Sequence, residues 1–476
     1  MECRKNMKKT KIICTMGPAC SDEETLTKMV RAGMNVARFN FSHGTHGEHA
    51  ERMALVRRVR EKLAEPIAMM LDTKGPEYRI KTFREHKVTL NDGDTFAFTA
   101  DEIEGDERRV SVSYKHLAEE LRPGDRILLN NGLVSFEVTE LAGADVVCRV
   151  LIGGELSDRK SMSFPNKVLK QDYLSEQDRA DLLFGIQQDV DFIACSFVSC
   201  KQDLVNVREF LDSNGGEQID LIAKIENRSG VDNIEEIIEH SDGIMVARGD
   251  MGVEIPFEEL PAIQKHLITA CRFRGKRVIT ATEMLESMIE KPRPTRAEIS
   301  DVANAVYDGT SAIMLSGETA MGRYPVAAVE AMSRIAEETE KDIDYAKRFR
   351  NSNFKIRNTI DAVSHSTAAL SIDIDARLIV VCTRSGATAR MVSRFRSPKP
   401  IIGMTTEEKV WRKLALSWGV QPVMSEEFQS TDVLFYHAII AAKNSGMAEK
   451  GDNIVITGGL PNGRSGNTNL IKLETL

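Results

Sequence analysis

No stretch of the 476-residue chain approaches the ~18–20 consecutive apolar residues of a membrane span, so no membrane association is expected. The N-terminus, MECRKNMKKTKIICTMGPAC, is basic, but its apolar run is only Ile12-Ile13-Cys14, short of the ~7–15-residue stretch of a secretory leader. The eight cysteines (Cys3, Cys14, Cys20, Cys148, Cys195, Cys200, Cys271, Cys382) include no Cys-x-x-Cys pair. That argues against a zinc site or a disulfide framework and for reduced thiols in the cytoplasm. Positive charge is also short: 63 Lys and Arg against 71 Asp and Glu leave a net charge of −8. Nucleic acid is therefore not the expected partner, and any anionic ligand must meet a local concentration of cations. Neither a sequence repeat nor a low-complexity segment explains the length.

What the chain does have is an ordinary globular composition, 42% hydrophobic and 28% charged, and enough length for several domains with a large core. Up to about Gly75, short apolar runs (KIICTM, NVARFNFS, IAMMLDTKG) alternate with helical patterns (DEETLTKMVRAG, GEHAERMALVRRVREKL). The alternation resumes after Tyr173 with VDFIACSFV, DLIAKIEN, DGIMVARGD, RVITATEM and SAIMLSGET as strands. The two parts together hold about eight strands, the number at which parallel strands with crossover helices close into a barrel. Between Pro76 and about Lys170 short alternating segments with Asp-Gly, Asn-Gly and Gly-Gly turns predict an antiparallel β insertion. It follows a strand end, where barrels carry their active sites, and is placed to act as a lid. From about Lys347 a basic stretch leads into a separate α/β unit with a mostly parallel sheet. The expected domains are 1–75 with 170–345, 76–169, and 346–476.

Barrel chemistry sits at the C-terminal ends of strands. Charged and small polar residues gather there: Arg38, Asn40 and Ser42; Asp72, Thr73, Lys74, Glu77 and Arg79; Lys224 and Glu226; Arg248 and Asp250; Thr282. Strand alternation puts Lys224 and Glu226 on one face, either as a paired support of the barrel interior or as a cation and a metal ligand facing one substrate. Gly249 and Gly252 in ARGDMGVEIP allow close backbone approach beside Asp250, a hard oxygen ligand suited with Glu226 to Mg²⁺. Arg38, Arg79 and Lys224 bring positive charge to one mouth; a unit charge pair at ~4 Å is worth about 4 kcal/mol at an effective dielectric near 20. That is an anion site for phosphate and carboxylate groups. Asn40, Ser42, Asp72 and Thr73 are small oxygen donors suited to a cation. His43, His46 and His49 look metal-like, but a capped helix start accounts for His46 and His49. Ser42 beside His43 is no nucleophile–base pair, because adjacent residues at a strand end point apart. In CTRSGATAR, Cys382 to Arg390, a strand runs into a turn and a helix; this is either an ordinary cap or an anion-binding turn.

The segments KTKIICTMGPA, MNVARFNFSHG, LDTKGPEYR, KIENRSGVDN, MVARGDMGVEIP, TATEMLESMIEKPRPTRAEISDVANAVYDG, MLSGETAMGRYP and the terminal TGGLPNGRSGNTNLIKL together resemble the pyruvate kinase family over nearly the whole chain. The resemblance implies a (β/α)8 TIM barrel with an inserted β-rich lid domain and a C-terminal α/β effector and oligomerisation domain. It implies transfer of the phosphoryl group of phosphoenolpyruvate to ADP, giving pyruvate and ATP, with Mg²⁺ or Mn²⁺ and K⁺, in a cytoplasmic, allosteric homotetramer. Carried over by position, Glu226 and Asp250 match the divalent-metal ligands, and Asn40, Ser42, Asp72 and Thr73 the potassium ligands. Arg38, Arg79 and Lys224 match the phosphoryl-contacting cations, and Thr282 a threonine near the carbon that receives the proton. Ala247, Arg248, Gly249 and Asp250 match the seat of the substrate, and Asn40, His43 and Arg79 the nucleotide contacts. Thr383, Arg384, Ser385, Gly386 and Thr388 match an effector loop, which the Gly463-Arg464-Ser465-Gly466 loop is expected to close over. Ala387 stands where bisphosphate-regulated relatives often carry a basic residue, favouring a sugar monophosphate or AMP as activator.

Three departures from the family pattern stand out. Gln177 replaces a lysine that often helps hold nucleotide phosphates; Glu283 stands where Gln is common; and the chain stops at Leu476, directly after the C-terminal domain. Two rivals are a Mg²⁺-dependent lyase or aldolase acting on a pyruvate enolate, and a sensor that has lost activity. The first has no need of the lid, Arg38 or the potassium set; the second is expected to lose Lys224, Glu226 or Asp250, and all three are present.

Overall fold

The structure is a computed structural model and describes residues 8–476 apart from 131, 166, 168, 171, 428 and 460–467. Eight parallel strands close into a barrel: β1 (Lys11–Thr15), β2 (Val36–Asn40), β3 (Ala68–Asp72), β4 (Phe192–Cys195), β5 (Asp220–Ile225), β6 (Gly243–Ala247), β7 (Arg277–Ala281) and β8 (Ala312–Leu315). Neighbours in sequence pair in space, and β8 returns to pair with β1. The strands are apolar along nearly their whole length because both faces are covered, the inner by one another and the outer by helices. Ile13, Val36, Met70, Phe192, Ile222, Met245, Ile279 and Met314 fill the interior. Ala415 and Leu416 of the C-terminal domain join that same cluster and plug the barrel's lower end. The outer helices start where the sequence supplies caps: Thr45 with Glu48, Ser175 with Asp178 and Thr295 with Glu298 form capping boxes.

The lid follows β3. The chain turns at Gly75, whose φ of +69° and position, with a Cβ 2.9 Å from the Ser196 carbonyl oxygen, exclude any other side chain without strain. A seven-stranded sheet and a two-stranded ribbon then enclose a core that includes Phe83, Phe96, Phe98, Phe136 and Val146. Its strands pair mostly antiparallel.

After helix Pro325–Asp342 the chain crosses through helix Tyr345–Asn351 into the C-terminal domain. Four parallel strands and a final antiparallel strand, Thr468–Thr475, make a five-stranded sheet with an apolar cluster on each face. This domain grips the barrel's lower rim by ion pairs. Arg412 meets the buried Asp191 at 2.8 Å and the exposed Asp189 at 2.6 Å, and Lys413 meets the buried Asp220 at 2.8 Å. Among the described residues no helix is long and apolar enough to cross a membrane.

Candidate active site

The upper mouth of the barrel gathers the residues that the strand ends predict. Asn40 and Asp72 are in register on β2 and β3, so Arg38, two residues back on β2, shares the face of Asn40. Arg38 Nε donates to Asp72 Oδ2 at 2.6 Å, and its Nη1 donates to Thr15 Oγ1 at 2.9 Å. Lys224 Nζ lies 3.1 Å from Asp72 Oδ1 and 2.8 Å from Glu226 Oε1, and donates to Ser196 Oγ at 2.6 Å. Asp72 and Glu226 are 0% exposed, and Arg38 and Lys224 are 8% exposed. This is a dry cluster of alternating charge, in which each group's ionisation depends on its neighbours.

Burial alone would push the Asp72 carboxyl up, but Arg38 and Lys224 outweigh it and hold Asp72 below the usual carboxylate range. Burial likewise opposes charge on Lys224, yet Asp72 and Glu226 hold its ammonium above the ordinary lysine value. Glu226 is the group left short. Burial pushes it up to about 7 in spite of Lys224, with Asp250 adding to the rise. Its Oε2 accepts the Phe197 N–H at 2.6 Å, while Oε1, close to Lys224 but out of hydrogen-bonding alignment, is buried without a hydrogen-bond partner. An under-compensated carboxylate oxygen within electrostatic reach of a second carboxylate is the donor set a hard divalent cation fits. No group of three or more His, Cys, Asp or Glu side chains placed to hold a metal exists among the described residues, so the fit rests on Glu226 and Asp250.

The ends of β6 and β7 form the other wall. Thr282 has φ +67° and the next residue, Glu283, has φ +53°, both uncommon for side chains of their kind. Thr282 Oγ1 accepts the Gly249 N–H at 2.7 Å and donates to the Ala281 carbonyl at 2.6 Å, which fixes the hydroxyl beside the 247–249 backbone. The Arg248 side chain is committed elsewhere. It meets both Asp301 oxygens at 2.7 Å and donates to the Thr282 and Glu283 carbonyls at 2.6 and 3.0 Å. Arg248 therefore braces the strained turn with its guanidinium, and only its backbone is available to a ligand.

The four small oxygen donors lie on the adjoining ends of β2 and β3, where Asn40 pairs in register with Asp72. Asn40 Oδ1 accepts the Ser42 N–H at 3.2 Å, and Thr73 Oγ1 accepts the Ser196 N–H at 3.2 Å. His43 is exposed at the rim. His46 bonds Asp181 at 2.6 Å and stacks on Phe184, and His49 stacks on Phe41, so both belong to the packed helix start and not to a metal centre. Arg79 is the predicted cation that the structure does not bring to the cluster. It sits in the lid, with Nη2 2.6 Å from Glu77 and Nη1 donating to the Arg159 carbonyl at 2.6 Å. Gln177, in helix Glu176–Gln187, donates to Asp181 at 2.8 Å.

A cavity of about 490 Å³ opens between lid and barrel, lined by Glu77, Tyr78 and Phe164 on one side and by Phe197, Asp250 and Glu254 on the other. It lies beside the cationic cluster and meets it at Asp250 and Phe197. Glu254, at the end of the helix that carries Asp250, faces Ser163 and Phe164 of the lid across this cavity, and burial pushes it up to about 7.

The proposed effector segment is a turn between strand Leu378–Cys382 and helix Ala387–Arg394. Thr383 Oγ1 accepts the Gly386 N–H at 3.0 Å, Arg384 and Ser385 are exposed, and Thr388 Oγ1 bonds Thr468 Oγ1 at 2.5 Å. The Gly463–Gly466 loop lies outside the described residues.

Sequence reasoning missed Ser196, which ties Lys224 to the Thr73 carbonyl at 2.7 Å, and Phe197, whose φ of +56° aims its N–H at Glu226. Neither carries a signal in ACSFVSC. It also missed Glu254 as a link between lid and barrel.

Two family models match the chain: the barrel domain of pyruvate kinase over residues 7–329 and its alpha/beta domain over residues 361–474. A pyruvate kinase of Clostridium acetobutylicum is 47% identical over 473 residues, covering 99% of this chain and 100% of that protein. One from Geobacillus stearothermophilus is 45% identical over 472 residues, covering 98% of this chain and 80% of that protein. The crystal structure of a Cryptosporidium parvum pyruvate kinase superposes with a TM-score of 0.93 at 37% identity, covering 98% of this chain and 96% of that one. With the barrel, the lid, the C-terminal sheet and full-length relatives in agreement, the chain belongs to the pyruvate kinase family.

Proposed function

We propose that the upper barrel mouth carries the family's reaction, transfer of the phosphoryl group of phosphoenolpyruvate to ADP to give pyruvate and ATP, with Lys224 at its centre. The observation that carries the reading is the buried Lys224 ammonium, held between Asp72 and Glu226 with Arg38 on the far side of Asp72. Phosphoryl transfer needs in-line positioning and neutralisation of spreading negative charge more than it needs a nucleophile. Arg38 and Lys224 supply the cations, and Asp72 fixes the position of both. Lys224 donates to the neutral Ser196 hydroxyl and is otherwise held by the charges of Asp72 and Glu226; a substrate oxygen enters by displacing that hydroxyl, the one uncharged group of the three. Once the phosphoryl group has left, the same ammonium stabilises the enolate oxygen, as a preorganised donor does for an oxyanion.

A divalent cation, Mg²⁺ or Mn²⁺, held by Glu226 and Asp250 would supply Lewis-acid neutralisation of the substrate oxygens. Asn40, Ser42, Asp72 and Thr73 would hold K⁺ as a further positive charge beside the phosphoryl group. The backbone of Ala247, Arg248 and Gly249 seats the substrate carboxylate, and the Thr282 hydroxyl, fixed against that backbone, directs a proton to the enolate carbon. Asn40 and His43 contact the nucleotide, and Arg79 joins them when the lid swings its short strand over the mouth. The enzyme acts in the cytoplasm as a homotetramer, with residues 1–75 and 170–345 as barrel, 76–169 as lid and 346–476 as effector domain. A phosphate monoester on the Thr383–Thr388 turn activates it by raising phosphoenolpyruvate affinity. The test is an assay of pyruvate formation from phosphoenolpyruvate. Strict dependence on ADP, with one ATP per pyruvate, is expected; pyruvate formed without ADP, or none formed at all, refutes the reading.

A further inference from the structure

At the lower end of the barrel, opposite the proposed active site, six cations (Arg272, Lys276, Arg277, Arg390, Arg394 and Arg396) line a single small recess, and no carboxylate lines it. Three come from the end of helix Leu260–Arg274 and the start of β7; the others come from the last turns of helix Ala387–Arg394 and the residues after it. The two elements meet closely at Gly275. Its φ is +71°, and a Cβ there would stand 2.7 Å from the Met391 methyl group.

Two of the six cations are neutralised, Arg277 by Asp220 at 2.7 Å and Arg394 by Asp361 at 3.3 Å. Lys276 spends its ammonium on the Ser241 carbonyl at 2.5 Å. Arg272, Arg390 and Arg396 have no carboxylate within ion-pair distance among the described residues. Asp220 and Asp242 lie within electrostatic reach of Arg390, Asp242 of Lys276, and Glu340 of Arg396, but none of them forms an ion pair with these cations. Arg396 is 5% exposed and stacks 4.6 Å from the Trp418 ring. Its terminal nitrogens donate only to neutral oxygens, Ser393 O at 3.0 Å, Gly309 O at 3.1 Å and Ser311 Oγ at 3.0 Å. Burial and the neighbouring Arg272 and Arg348 push it down to about 9, the mark of a cation without its counter-ion.

The orphaned donors point the same way. Arg272, Arg277, Arg394, Arg396 and Ser417 all line this recess, and the Nε of each of these arginines and the Ser417 Oγ are buried without a hydrogen-bond partner; Ser417 is 2% exposed. Water leaves such a set short of both acceptor lone pairs and negative charge, whereas an oxyanion supplies both. The recess holds about 10 Å³, room for one oxygen-sized atom, so the remaining oxygens of a tetrahedral anion would lie at its mouth. We propose that this recess binds one inorganic oxyanion of the phosphate class, which joins the lower end of β7 to the helix whose opposite end carries the Thr383–Thr388 turn. The site is separate from both the barrel mouth and that turn, and it does not rest on the roles proposed for either.

The test is calorimetric titration of inorganic phosphate into the full-length protein at constant ionic strength, in wild type, Arg272→Gln, Ser417→Ala and Thr388→Ala. One phosphate per chain is expected to bind wild type and Thr388→Ala alike, and to be weakened about 10–100-fold in Arg272→Gln, the loss expected of one charge-assisted hydrogen bond. Ser417→Ala, a smaller change that keeps every cation, is expected to weaken it measurably. In phosphate-free buffer the melting temperature of Arg272→Gln should equal or exceed that of wild type, because an unpaired buried charge has been removed. The proposal is overturned by phosphate binding that is unchanged in Arg272→Gln, by loss of the same phosphate in Thr388→Ala, or by absence of saturable binding in wild type. Chloride that competes as strongly as phosphate overturns the oxyanion assignment.

Discussion

Replacing Lys224 by Met removes the one cation shared by Asp72 and Glu226 while keeping a side chain of similar length. Losing a single preorganised donor at a developing oxyanion costs about 2.7–4 kcal/mol, or ~10²–10³-fold in kcat. The structure makes that a lower bound, because Lys224 also compensates Glu226 at 2.8 Å. Burial has already pushed Glu226 up to about 7 with the lysine present. Without it the carboxyl takes up a proton at neutral pH, which relieves the stranded charge and weakens the metal site in one step. Asp72 keeps Arg38 at 2.6 Å, so the barrel mouth should not collapse. Breaking a buried ion pair costs at most about 3–5 kcal/mol, and protonation of Glu226 reduces this. Lactate dehydrogenase-coupled kinetics should show kcat and kcat/KM falling together by at least ~10²-fold, the pattern of an interaction made in the transition state. A purified variant that melts near wild type and retains turnover within ~10-fold would refute the role of Lys224.

Potassium dependence is expected because Glu77 in LDTKGPEYR cannot supply the positive charge that a lysine ammonium there could put in the ion's place: activity should collapse when Na⁺ or a bulky organic cation replaces K⁺, and Glu77→Lys should reduce the requirement. Full activity without K⁺ counts against the Asn40, Ser42, Asp72 and Thr73 assignment. Thr282→Ser keeps the hydroxyl and should preserve most turnover, whereas Thr282→Ala should slow solvent-proton incorporation into pyruvate; equal incorporation rates in the two variants would remove Thr282 from the proton step. Titrating ribose 5-phosphate, glucose 6-phosphate, AMP and fructose 1,6-bisphosphate at subsaturating phosphoenolpyruvate should show activation by a monoester. Thr388→Ala should abolish it, and responses left intact would rule out the 383–388 turn. Arg277 and Lys413 hold Asp220 below its ordinary 3.8 against its burial, so its contribution to stability is present above about pH 4 and is lost as pH falls through the folded value. Melting curves should therefore show Asp220→Asn less stable than wild type by a steady gap from pH 7 down to about pH 5, and the gap narrowing as the pH is taken below about 4; a gap that does not narrow below about pH 4 would contradict this.

The parts legible in the sequence are those fixed by local periodicity. Alternation placed Lys224 and Glu226 on one face of β5, and the structure has them 2.8 Å apart. Eight apolar runs separated by amphipathic helices gave the barrel, and Thr45 with Glu48 marked a helix start that made His46 and His49 packing residues. What stayed hidden depends on contacts between distant segments. Arg248 reads as one more charged residue at a strand end, and nothing near it in sequence shows that Asp301, 53 positions away, takes its guanidinium. Arg79 reads as a mouth cation, but the lid's Glu77 and Arg159 carbonyl hold it. Nothing local in Ser196 or Phe197 announces that a backbone N–H and a hydroxyl will complete the Lys224 cluster.

The same limit hid the joint between the barrel and the C-terminal domain, and that joint bears on the chemistry through strand geometry. β5 begins with Asp220, gripped from below by Lys413 and Arg277, and carries Lys224 four residues on, about 13 Å away at ~3.3 Å per residue. β7 begins with Arg277 at the same joint and ends at Ala281, directly before Thr282. β4 follows Asp191, held by Arg412, and ends one residue before Ser196. Three strands that supply or position groups at the upper mouth are thus anchored at their lower ends by cations of, or at the border of, the C-terminal domain. A strand fully buried in a closed barrel cannot bend to absorb a displacement at one end, because its ladder hydrogen bonds and interior packing fix it to both neighbours. A ligand that tightened the C-terminal domain on Asp191, Asp220 or Arg277 would therefore bear on the strands that position Ser196, Lys224 and Thr282, with no side-chain relay needed between the two ends.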